Sequence, residues 1–125
     1  MGRVSRVLAS LAASALAASA YAHHSTAMFD MSQKVTLQGT VKELQWTNPH
    51  AWLQVLVPDE NGNPVEWGVE MGTPAAMLRE GWRPGSVMPG DKITVVVMPL
   101  KSGMPGGSLV SATRADGTVI GGLKP

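Results

Sequence analysis

Val35-Thr36-Leu37-Gln38-Gly39-Thr40-Val41-Lys42-Glu43-Leu44-Gln45-Trp46 decides the fold. Val35, Leu37, Gly39 and Val41 alternate with Thr36, Gln38, Thr40 and Lys42, the period of a half-buried strand. Leu44 and Trp46 then continue in the opposite phase. A one-residue slip inside a long strand, with Gly39 close by, predicts a bulge or a sharp bend. Small barrels use a long, bent first strand to take part in both sides of their closure.

Downstream, Thr47-Asn48-Pro49 is a turn, because proline lacks the N–H a ladder needs and Asn before it favours extended backbone. His50 leaves that turn at the head of a strand over residues 51–57, apolar on both faces and therefore central. Residues 58–64, Pro-Asp-Glu-Asn-Gly-Asn-Pro, form a hairpin loop. A strand over 65–71 follows, with Val65, Trp67 and Val69 on one face and Glu66 and Glu70 on the other. Thr73 and Pro74 open a short helix that Gly81 stops, with Trp82 packing just beyond it. The β-branched run 93–98, a long flexible loop over 99–107, a strand over 108–114 and a short return over 118–120 complete the chain.

Strand, strand, strand, helix, strand, strand is the order of a mostly β, five-stranded OB-like Greek-key barrel with its helix between strands three and four. The alternative is an open antiparallel sheet or small sandwich with a covering helix. The barrel domain is expected over 34–120 and a frayed tail over 121–125. A lead-in over 23–33 precedes the barrel, in which Met28 and Phe29 pack down and Asp30 caps a turn before Ser32.

Residues 1–22 have the parts of a cleavable secretory signal. Arg3 and Arg6 begin it, an uncharged Ala/Leu/Val/Ser run follows, and Ala20 and Ala22 supply the small-x-small site. The expected location is periplasmic or secreted. Cleavage after Ala22 leaves 103 residues, enough for one domain, with eight basic and nine acidic side chains. No Lys/Arg cluster survives, which argues against nucleic acid. No second long apolar run remains to span a membrane. The absence of cysteine excludes disulfides and thiolate metal sites.

Processing would place His23 at the new N-terminus, followed by His24, and the only other histidine is His50. An N-terminal histidine offers two nitrogens to one metal, its ring and an α-amine whose pKa is about 8. Nitrogen ligation completed by His24 or His50 suits copper, with zinc as the alternative. Glu70, or Glu66, can add a carboxylate. The competing reading leaves these histidines as exposed surface and turn chemistry. Trp67 and one of Trp46 and Trp52 read as core, sharing faces with aliphatic residues. The other of Trp46 and Trp52 lines a groove beside His50 that can stack a ring. A metal-independent module for a small ligand or a protein partner is therefore the second reading. A copper-dependent redox enzyme is the third, since no triad, acid pair or phosphate loop has motif support.

His23-His24-Ser25, Met28-Phe29-Asp30, Leu37-Gln38-Gly39-Thr40-Val41, Trp46-Thr47-Asn48-Pro49-His50, Glu66-Trp67-Gly68-Val69-Glu70, Gly81-Trp82 and Gly90-Asp91-Lys92-Ile93-Thr94-Val95, with the loop over 99–107, resemble domain-of-unknown-function family 6152. These are small exported bacterial proteins. The resemblance covers the whole mature chain and implies export and a small β-rich domain. It implies no activity.

Overall fold

The structure, a computed structural model, describes residues 26–121. The expected signal peptide, His23, His24 and tail residues 122–125 lie outside the described residues. Strands β1 (Val35–Gln45), β2 (Trp52–Pro58) and β3 (Pro64–Glu70) precede helix α1 (Pro74–Arg79). Strands β4 (Lys92–Pro99), β5 (Gly106–Arg114) and the two-residue β6 (Val119–Ile120) follow it. The sheet order is β3-β2-β1-β4-β5-β6, and a parallel β3–β5 pairing closes the first five strands into a barrel. This is the OB-like architecture with one added strand, and not an open sheet.

β1 belongs to both sides of the closure. Its first half pairs with β4 and its second half with β2. The phase slip is present, but the register shifts between Val41 and Glu43, beyond Gly39. Lys42 and Glu43 are consecutive exposed residues, after which Leu44 turns back toward the core. Gly39 has a different task. A Cβ there would stand 2.4 Å from the Leu56 carbonyl oxygen, so β1 needs glycine where β2 folds over it.

The interior is a column of aliphatic side chains: Leu37, Val41, Leu53, Val55, Val69, Val95, Val97 and Ala112 are all buried. α1 plugs one end of it. Thr73 Oγ1 accepts the Ala76 N–H as the N-cap. At the other end of the helix Gly81 (φ +92°) lets the Trp82 N–H reach the Met77 carbonyl and the Gly81 N–H reach Leu78. That cap buries Trp82 and Met77 against each other's neighbourhood at the barrel end.

The glycine-rich stretch expected as a loop up to Gly107 is shorter than that. Gly106 and Gly107 are buried residues of β5, lying opposite Gly68 and Val69 of β3. A Cβ on Gly107 would sit 2.6 Å from the Met98 carbonyl oxygen and 2.9 Å from Val97 Cβ. The glycines are there for close strand approach.

The lead-in is pinned as expected for Phe29, which is buried and bridges Leu100. The Asp30 N–H donates to the Pro99 carbonyl and the Lys101 N–H to that of Met28. Met28 itself stays exposed. Asp30 Oδ1 accepts from both the N–H and the hydroxyl of Ser32, and these bonds hold its carboxyl below its ordinary range.

Two measurements follow from this packing. Gly107→Ala should destabilise the barrel by about 1–3 kcal/mol in urea unfolding, whereas Gly85→Ala, with open space around it, should change stability by less than about 0.5 kcal/mol. For Asp30 the folded pKa is the lower one, so its stabilising contribution is complete above the unfolded value and is lost as pH falls through the folded value. Ser32→Ala should move the Asp30 titration, followed by carboxyl carbon NMR, upward toward the ordinary range.

Candidate functional site

His50 sits where three elements meet. Thr47 Oγ1 donates to the His50 carbonyl (2.8 Å) and closes the loop after Trp46, in which the Asn48–Pro49 peptide is cis. The next residue, Ala51, is fully buried; its N–H donates to Gly72 and its carbonyl accepts from Met71. Gly72 in turn donates its N–H to the thioether of Met77 in α1 (3.2 Å). The ring of His50 is thus carried on backbone tied to the helix plug.

The ring nitrogen Nδ1 lies 2.8 Å from the Met71 carbonyl oxygen and 3.5 Å from Glu70 Oε1. A carbonyl oxygen can only accept, so Nδ1 must carry the proton. The neutral ring then holds its lone pair on Nε2. The imidazole is 38% exposed, while the Glu70 side chain beside it is 13% exposed. Ligating histidines are commonly arranged this way, the non-ligating N–H donated to a carbonyl or carboxylate and the other nitrogen free.

Glu70 faces Nδ1, so for a metal held at Nε2 it orients the ring. Glu66 is elsewhere, paired with Lys42 at 2.6 Å. Among the described residues no group of three His, Asp or Glu is placed to hold a metal ion. Any complete nitrogen site therefore needs His23 or His24, which lie outside the described residues.

The tryptophans divide by face. Trp82 is fully buried. Trp46 and Trp67 are half-buried and pack against the core. Trp67 also lines a cleft of about 380 Å³ with Leu37, Val57, Asp59, Val65 and Pro105. Trp52 points outward, half-buried, paired with Gln45 of β1 and Glu70 of β3. Trp52 therefore shares the outer surface with the His50–Glu70 pair. Gln45, Gln54 and the Met71 carbonyl carry no motif in the sequence, and only the fold places the two amides near Trp52 and the carbonyl against His50.

The lead-in is linked to β3 through the start of β5. Phe29 neighbours Leu100, Leu100 donates its N–H to Gly106, and Gly106 pairs with Gly68 of β3. A turn closed by the Phe29 N–H on the Thr26 carbonyl reverses the chain just before this bridge. No helix of the described residues is long and apolar enough to cross a membrane.

His50 should show the Nδ1-protonated tautomer in long-range nitrogen–proton NMR of the imidazole at neutral pH. An Nε2-protonated ring would contradict the Met71 bond. A sequence model described as a family of unknown function (DUF6152) matches residues 10–109. No curated protein matches the chain.

Proposed function

The chain belongs to DUF6152, which brings no activity with it, and from the geometry we propose that the protein is an exported metal-binding module for copper, with zinc as the alternative. His23, freed by signal cleavage, supplies its amine and ring, and His50 Nε2 joins them, with His24 as a further imidazole. The observation that carries this reading is the locked orientation of His50. Its proton is committed to Met71 O, with Glu70 alongside, so Nε2 is left as a preformed donor.

An imidazole and amine donor set suits Cu(II), and a redox-active copper held this way would open oxygen chemistry to the same site.

Correctly processed protein should bind one Cu(II) with a nitrogen-rich, tetragonal electron paramagnetic resonance spectrum. Placing one glycine before His23 should abolish that spectrum, and His50→Ala should weaken binding at least tenfold. Glu70→Gln should weaken it less, through loss of ring orientation. Equal copper binding by the glycine-extended protein would refute the reading.

A further inference from the structure

The outer face of β1, β2 and β3 carries a second constellation, independent of any metal. Trp52 lies at its centre. Its direct cross-strand neighbours are Gln45 and Glu70, and the next outward residue of its own strand is Gln54. Directly paired residues stand about 5 Å apart at Cβ, so these polar groups border the indole. Gln54 Nε2 donates to Gln45 Oε1 (3.4 Å), and Gln45 Nε2 donates to Glu43 Oε2 (3.3 Å). The two amides are thereby linked to each other and to the Glu43 carboxylate. On the β3 side the residue opposite Gln54 is Gly68, where even a Cβ would meet only Gln54 Oε1 at 3.5 Å. With no side chain at that position, the approach to Trp52 is open.

An aromatic plane bordered by groups that both donate and accept fits a ligand with an apolar face and a rim of hydroxyls. A pyranose ring has that form: axial C–H groups stack on the indole and equatorial hydroxyls reach the amides and a carboxylate. Charge narrows the class further. β1, β2 and β3 carry one cation of their own, Lys42, bound to Glu66, and Lys92 of β4 reaches Thr40 of β1 opposite Leu56, four residues along β2 from Trp52. Glu43 and Glu70 remain on the face, which disfavours phosphate- or sulfate-bearing chains.

We infer that this face binds a neutral oligosaccharide, one ring stacked on Trp52 with hydroxyls held by Gln45, Gln54 and Glu70. The site shares only Glu70 with the proposed metal centre and does not rest on it.

The test is calorimetric titration of the processed protein, in EDTA, with chitohexaose, cellohexaose and maltohexaose, and with a heparin hexasaccharide for comparison. At least one neutral hexasaccharide should bind, and the sulfated one should not. Trp52→Ala should weaken binding at least tenfold and Trp52→Phe by less. Gln54→Ala should cost several-fold and keeps the test decisive if Trp52→Ala does not fold. Copper binding should be unchanged in Gln54→Ala, which separates the two sites. Failure of all three neutral sugars, stronger binding of heparin, or unchanged affinity in both Trp52→Ala and Gln54→Ala would overturn the inference.

Discussion

The structure depends on the close passage of β5 between β3 and β4. Parallel pairing of Gly68, Val69 and Glu70 with Gly106, Gly107 and Ser108 turns a sheet with two edges into a barrel. The passage is possible because two successive residues of β5 lack side chains. From that closure follow the buried column of valines and leucines and the position of β3's last residue, Glu70, on the outer surface. The end left for α1 to plug follows as well.

His50 inherits its geometry from the plug. Met77 holds Gly72 through its sulfur, Gly72 and Met71 hold Ala51, and the Met71 carbonyl holds the ring of His50. These contacts join uncharged groups, and the carboxylate of Glu70 stands beside the same nitrogen at 3.5 Å. A side chain 38% exposed is thereby given the precision of the core beneath it.

Local chemistry was legible in the sequence wherever it was self-contained. Thr73, Pro74 and Gly81 announce a helix because capping involves only nearby backbone. The phase slip in β1 is likewise visible as a break in period. Its location is not, because the bulge falls where β2 pairing requires it, at Lys42, and Gly39 serves the bend instead. Gly106 and Gly107 read as loop since glycine marks turns and tight strand crossings alike, and only the third dimension tells them apart. For the site, histidine and tryptophan are conspicuous by type. The Met71 carbonyl, 21 residues away from His50, is a group every residue possesses, so no sequence pattern could nominate it.

β1 meets β4 across a long stretch of chain, Thr40 and Lys92 being 52 positions apart, and the barrel cannot close until β5 has been made. Such non-local pairing is slow, because loop-closure entropy must be spent before any long-range contact rewards it. The β1–β2 and β2–β3 hairpins are local, yet they remain an open sheet, with the valine column uncovered, until β5 arrives to close it.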